Sequence, residues 1–210
     1  MLVFGLIFTA ATIKQNTYWH GEIPLFERVL RFERLGRVHI LLGRAYYFNR
    51  QYEQAIGEYQ KALKIMKDYA AKSKDKGASS FYLGFLKGIY FDLAHVFEAK
   101  GMLKEAVIAY QNALGIDPGD FVIRNNVAVA YMQLNQMDEA MEQLKSALAL
   151  NPGDLMSKTN LALCYIERGD HVMAEHLLKE VLALDPRFLP AQKNLNKLLE
   201  SGSKDAGHRN

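Results

Sequence analysis

The stretch that decides the fold is residues 121–154, which reads FVIRNNVAVAYMQLNQMDEAMEQLKSALALNPGD. Three of its landmarks recur 34 positions earlier and 34 positions later in the chain. One landmark is aromatic, one is alanine and one is proline, and the three sets are Phe97, Tyr131 and Tyr165, then Ala106, Ala140 and Ala174, then Pro118, Pro152 and Pro186. Because three different kinds of side chain share one period, the chain is predicted to be a tandem repeat.

Each unit is predicted to hold two amphipathic helices joined by a tight turn. In 137–150 the apolar residues recur at three- and four-residue steps, which is the spacing of one helical face. Asn135 precedes this segment, and Gly101 and Gly169 occupy its place in the neighbouring units. Asn and Gly accept the left-handed conformation that ends a helix, so the turn is encoded three times.

Small residues recur where two antiparallel helices would approach closely. They occupy the eighth and the twentieth place of each unit and are Gly43, Ala94, Ala128 and Ala162, then Ala55, Ala106, Ala140 and Ala174. With the aromatic residue at place eleven and the proline at place 32, this pattern resembles the tetratricopeptide repeat, or TPR. The resemblance covers 36–188 and departs at Val181, where other copies have alanine. It implies an all-α fold, a right-handed superhelical solenoid of antiparallel helix pairs with a C-terminal capping helix.

The chain is predicted to divide into repeats with additions at both ends and one insertion. In order, the parts are an apolar segment at 1–13, a half-repeat helix at 14–35, repeat one at 36–69, an insertion at 70–86, repeats two to four at 87–120, 121–154 and 155–188, a capping helix at 189–200 and a disordered tail at 201–210. Within the insertion, 72–80 has the composition of a loop. The apolar residues of 81–86 are expected to extend the next helix forward.

The first 13 residues, MLVFGLIFTAATI, carry no charge. They are shorter than the ~17–25 residues of a membrane span, and no basic region precedes them as in a secretory signal. One interpretation is a helix that caps the end of the repeats. The other rests on 12–27, with Trp19 and the sequence LFE, which is similar to the junction between the last span and the repeats in transmembrane-and-TPR mannosyltransferase-like proteins. That resemblance implies membrane association through 1–13, which we favour over a cytoplasmic location.

Composition and motifs argue against several functions. The net charge is +3 without a basic stripe that interleaves with aromatic residues, so no nucleic-acid partner is expected. His171 and His176 are five residues apart, which does not place two metal ligands on one helical face. No phosphate loop or catalytic triad is apparent, so we expect no enzymatic activity, no cofactor and no metal. Cys164 is predicted to be a small buried hydrophobic residue.

The candidate site is a ladder of asparagines on the first helices of successive units. Asn126, Asn160 and Asn194 follow one another at intervals of 34, whereas Asp92 takes the same place in repeat two. An Asn amide offers both a donor and an acceptor, which matches an extended peptide backbone. The arrangement resembles the asparagine ladders of peptide-binding superhelical repeat proteins. Alternatively, these amides bond only to neighbouring side chains or water.

Further residues are predicted to flank this ladder in a groove of mixed polarity, and they are His95, Asn125, Met132, Thr159, Ile166 and Lys197. The predicted function is a non-catalytic scaffold that binds an extended peptide or a partner protein in the concave TPR groove. The alternative is an accessory, substrate-presenting domain of a membrane glycosyltransferase system, of which this chain is a truncated or split part.

Overall fold

The computed structural model describes residues 22–30 and 36–207, and within these residues every regular element is an α-helix. The all-α prediction is therefore confirmed. The helices are α1 (Glu22–Leu30), α2 (Gly36–Phe48), α3 (Tyr52–Lys72), α4 (Lys76–Ala99), α5 (Leu103–Ile116), α6 (Phe121–Gln133), α7 (Met137–Leu150), α8 (Leu155–Glu167), α9 (His171–Leu184) and α10 (Leu189–Gly207).

The chain forms two compact units, Met1–Lys100 and Gly101–Asn210. In the first unit, each of α1 to α3 contacts the helix that follows it, and α2 also contacts α4. In the second unit, α5 to α10 contact one another in sequence, while α6 also contacts α8 and α8 contacts α10. Each unit therefore stacks helix pairs so that their first helices are neighbours, as expected for repeats that contact mainly the adjacent repeat.

The turns inside the helix pairs have the predicted backbone conformation. Asn135 has φ 58°, and Gly101 and Gly169 have φ 73° and 78°, in the left-handed region. Arg50 takes the corresponding place between α2 and α3 with φ 59°. Glycine carries no steric penalty in this region, and asparagine tolerates it better than most residues, so Gly101, Gly169 and Asn135 reverse the chain at low cost.

Aspartates cap the N-termini of α6, α8 and α9 in the second unit. The carboxylates of Asp120, Asp154 and Asp170 accept backbone N–H groups three residues later at 3.1, 2.9 and 3.0 Å. These bonds satisfy N–H groups that have no partner within the helix. The prolines before Asp120 and Asp154 end the preceding helices, so these two connections between repeats combine a stop signal with a cap.

The predicted small residues lie at the helix contacts. Ala128, Ala140, Ala162 and Ala174 all have 0% exposed surface. In the first unit, a Cβ atom added to Gly43 would lie 2.8 Å from Cε1 of Tyr59. The core of the second unit contains two clusters of buried residues, Ala128, Ala140, Met141, Leu144, Leu161 and Cys164 in one, and Ala162, Ala174, Leu178, Val181, Ala191 and Leu198 in the other.

Cys164 is a buried thiol in the first of these clusters, as predicted. Burial raises its pKa to about 11, because a thiolate would lose its hydration inside the cluster. The thiol is therefore neutral at physiological pH and fills space as a small apolar group.

The loop predicted for 72–80 is wrong for 76–80, which belong to α4. Only 73–75 separate α3 from α4. Asp75 caps α4 by accepting the N–H of Gly77 at 2.9 Å, and the rings of Tyr69 and Tyr82 lie 5.4 Å apart across the two helices. Aromatic contact and capping therefore extend both helices through a segment whose composition is that of a loop. The expected forward extension through 81–86 is confirmed.

The ends of the chain differ in part from the sequence predictions. Helix α10 continues to Gly207, so the predicted end at residue 200 is wrong, and 201–207 are helical rather than disordered. No proline interrupts this stretch, and a glycine inside a helix costs only about 1 kcal/mol. Within the half-repeat predicted at 14–35, α1 packs on α2, and the Tyr46 hydroxyl donates to Glu27 at 2.6 Å.

The apolar segment 1–13, with its two interpretations, lies outside the described residues. Within 22–30 and 36–207, none of the helices combines the length and the apolar character that crossing a bilayer requires.

Candidate functional site

The three ladder asparagines lie on α6, α8 and α10 of the second unit, the first helices of neighbouring pairs. Their environments differ. Asn160 is 9% exposed, and its Nδ2 atom donates to Oδ1 of Asn125 at 2.8 Å. Asn126 and Asn194 are partly exposed, and their side chains have no hydrogen-bond partner among the described residues. The unit therefore uses one amide of the ladder internally and leaves two accessible.

Asn125 joins α6 to α8. Its side chain is buried, and its Oδ1 atom accepts from Asn160 and, at 3.4 Å, from the hydroxyl of Ser157. A buried amide that lost these partners would be costly, so the contact fixes the relative position of the two helices. Asn160 therefore bonds to a neighbouring side chain, which is the alternative that the sequence left open for the ladder.

A cavity of about 420 Å³ opens beside Asn160. Apolar side chains from α6, α7 and α8 form part of its wall, and four polar residues complete it. The lining is Val129, Met132, Met137 and Leu163, with Gln133, Asn135, Asn160 and Glu167. The C-terminal halves of α6 and α8 supply most of this lining. A concave surface of this kind, mostly apolar with a few polar groups, is the usual form of a ligand site.

Of the predicted site residues, Asn160 and Met132 line this cavity. Thr159 does not, because it is 1% exposed and its hydroxyl donates to the carbonyl of Leu155 in its own helix at 2.7 Å. Asn194 and Lys197 lie on α10, and Lys197 is exposed there. His95 belongs to the first unit.

Sequence reasoning missed Val129, Leu163, Gln133 and Glu167. Val129 and Gln133 follow Asn126 by three and seven residues, and Leu163 and Glu167 follow Asn160 by the same steps. Residues at these steps share one helical face. Extending the ladder along each helix, as well as from repeat to repeat, would have found them.

The cavity carries an unbalanced charge. Glu167 is the one ionisable residue among those that line it, and no basic group in the described part of the chain pairs with its carboxylate. The next residue, Arg168, instead donates from Nη1 to Oδ1 of Asp138 at 2.8 Å. The electrostatic character of the cavity is therefore negative.

In the first unit, Asp92 takes the place that asparagine holds elsewhere. Its Oδ2 atom accepts from Nε of Arg44 at 2.8 Å. Burial raises the pKa of Asp92, and the arginine opposes that rise. The break in the ladder is therefore an ion pair between α2 and α4. This pair lies in the wall of a separate cavity of about 270 Å³, together with Tyr47, Phe48, Tyr59 and His95.

No cluster of three potential metal ligands occurs among the residues that the structure describes. His176 is placed with its Nδ1 atom 3.5 Å from Oε1 of Glu180, one turn along α9. His171, which begins the same helix, is exposed.

Antiparallel helix pairs with left-handed turns and buried small residues at a fixed period define a helical repeat protein. Two family models, each described as tetratricopeptide repeat, match this chain, one at 97–157 and 138–199 and the other at 36–69. Together they cover more than half of the chain, which therefore belongs to the tetratricopeptide-repeat family. Neither match includes the residues before 36, so the resemblance of the N-terminal junction to mannosyltransferase-like proteins is not supported. No curated protein matches the sequence.

Solved structures with the same fold include TPR proteins of other sequences. YrrB, described as a TPR protein with an unusual peptide-binding site, is 16% identical over 90% of this chain and 87% of that one, with a TM-score of 0.64. MamA is 17% identical over 83% and 86%, also with a TM-score of 0.64. The first TPR of Spaghetti (RPAP3), bound to the HSP90 peptide SRMEEVD, is 21% identical over 56% and 93%, with a TM-score of 0.53. At these identities the likeness shows the fold.

Proposed function

We propose that this protein is an interaction scaffold whose second unit binds an extended peptide segment of a partner protein. The observation that carries the proposal is the open cavity beside Asn160, where four apolar side chains and a small number of polar groups meet. Such a lining suits one apolar side chain of a peptide, with the polar groups fixing its orientation. Two TPR structures with the same fold are described with a bound peptide or a peptide-binding site, which supports this class of ligand.

The asparagines give the site a means of holding a peptide backbone. A backbone in an extended conformation presents N–H and C=O groups along its length, and each Asn side chain can both donate and accept. Asn126 and Asn194 are accessible for such bonds. Asn160 contributes in another way, because its bond to Asn125 holds its amide in one orientation at the cavity wall.

The cavity is tested by a change that fills it. A peptide selected from a random phage-displayed library against the full chain should bind Leu163→Arg at least tenfold more weakly than the native protein, because a long charged side chain would occupy the apolar wall. Fluorescence polarisation measures the affinity, and thermal melts run alongside. The control is Ile108→Arg, the same kind of change at a 58% exposed position on α5 outside the cavity lining. Undiminished binding to a folded Leu163→Arg variant would place the peptide elsewhere.

The accessible asparagines are tested together in the double variant Asn126→Ala, Asn194→Ala. Each hydrogen bond to a ligand backbone is worth roughly 0.5–1.5 kcal/mol, so the loss of both side chains should weaken binding of the selected peptide about tenfold. The melting temperature should stay unchanged, because neither side chain bonds to another described residue. Asn112→Ala, an exposed asparagine on α5, is the matched control. If the native protein and both variants bound the peptide with equal affinity, Asn126 and Asn194 would not be binding residues.

The alternative function, an accessory domain of a membrane glycosyltransferase system, stays a prediction. It depends on the junction before residue 36, which neither family match includes. The expectation of no enzymatic activity likewise remains a prediction from sequence.

A further inference from the structure

We propose that the occupant of the cavity beside Asn160 is a basic segment of a partner protein, in which a lysine or arginine adjoins an apolar residue. The basic side chain would pair with Glu167, and the apolar one would contact the wall of the cavity. This inference rests on the proposed function and adds the chemistry of the partner to it.

The first observation is that Glu167 lacks a cation of its own. The one basic residue within α8 and the one that directly follows this helix are both engaged elsewhere. Arg168 pairs with Asp138 at 2.8 Å and also contacts the sulfur of Met141 at 3.4 Å, while Lys158 pairs with Glu180 at 3.1 Å. In the described part of the chain, the carboxylate of Glu167 thus remains available to a cation from outside.

The second observation is the place of this carboxylate in its helix. Glu167 is the last residue of α8. The C-terminal end of a helix carries a partial negative charge because its peptide dipoles are aligned, so a carboxylate is unfavourable there and a cation is favourable. A lysine or arginine bound at this end would therefore interact favourably with the side chain and with the helix end together.

The third observation is the chemistry of the surrounding wall. Met132 and Met137 are flexible and polarisable, so they adapt to side chains of different shape. The methylene groups of a bound lysine or arginine can lie along Val129 and Leu163 while the charged group remains hydrated near Glu167. The cavity therefore matches both the methylene groups and the charged group of a long basic side chain. Glu167 would repel a purely acidic segment.

The test uses capped synthetic peptides that are identical except for one residue next to a central leucine, which is lysine, glutamine or glutamate. The native protein should bind the lysine peptide about threefold to tenfold more tightly than the glutamate peptide, because this comparison combines the loss of one attractive exposed charge pair with the gain of a repulsive one. The difference should shrink at high salt because exposed charges are screened.

In Glu167→Lys the order should reverse, so that the glutamate peptide binds more tightly than the lysine peptide. Glu142→Lys makes the same change of net charge at an exposed position on α7 outside the cavity lining, and should keep the native order. An unchanged order in Glu167→Lys, or a reversal in both variants, would overturn the assignment to Glu167. Binding of all three peptides with equal affinity would overturn the charge preference alone, whereas binding of none of them would count against the proposed function as well.

Discussion

Deletion of α10, by ending the chain after Phe188, is expected to destabilise the second unit by several kcal/mol. Helix α10 contributes Ala191 and Leu198 to a core cluster with Leu178 and Val181, and each of these four side chains is at most 7% exposed. Burying a leucine or valine side chain is worth about 1.5–3 kcal/mol, and the deletion re-exposes residues of α8 and α9 in addition to removing those of α10. The end of a repeat array needs such a cap for solubility.

The measurement compares thermal unfolding and size-exclusion profiles of the truncated and full chains. We expect a lower and broader transition with self-association, because a new apolar surface becomes exposed on α9. The control ends the chain after residue 200, which keeps Ala191 and Leu198 and removes only the distal part of α10. Equal stability of the chain ending after Phe188 and the full chain would show that α10 is not a structural cap.

The repeat architecture could be predicted because its determinants are local and recur. Asn135, Gly101 and Gly169 each specify a left-handed turn, and Ala140 specifies a close helix contact, so every copy supports the others. The start of α4 has no equivalent copies in other repeats that would support a prediction. Residues 76–80 occur once, and their composition favours a loop, while the contact between Tyr69 and Tyr82 that extends the helices is a tertiary one. Tertiary packing overrides local propensity in such segments.

The candidate site could be predicted only in part, because the repeat period gives the positions of residues but not the contacts of their side chains. The period of 34 placed Asn126, Asn160 and Asn194 on neighbouring helices, but it carries no information about which amide bonds to which. The bond between Asn160 and Asn125 depends on the orientation of two side chains across a helix contact. Glu167 was missed because the ladder was followed only from repeat to repeat, whereas Glu167 lies two turns along α8 from Asn160 on the same helical face.

The close helix contact at Ala140 gives the largest effect that we expect from a single substitution. Ala140 has no exposed surface and lies in one cluster with Ala128, Leu144 and Cys164. The side chain of Ala140→Leu would need space that these residues already fill, and overpacking of this kind costs typically 1–3 kcal/mol through shifted rotamers and backbone. Leucine and alanine both favour helices, so the change isolates packing from helix propensity.

Ala149→Leu is the matched control, since it makes the same substitution at an exposed position of the same helix. Its effect should stay within about 0.5 kcal/mol, as for most surface changes. Urea unfolding gives both free energies of unfolding, and the melting temperature of Ala140→Leu should fall by roughly 2–4 °C for each kcal/mol. Peptide affinity should change only where Ala140→Leu is partly unfolded, because its side chain is directed into the core rather than the cavity. Equal free energies of unfolding for the two variants would mean that the helices are not in close contact at Ala140.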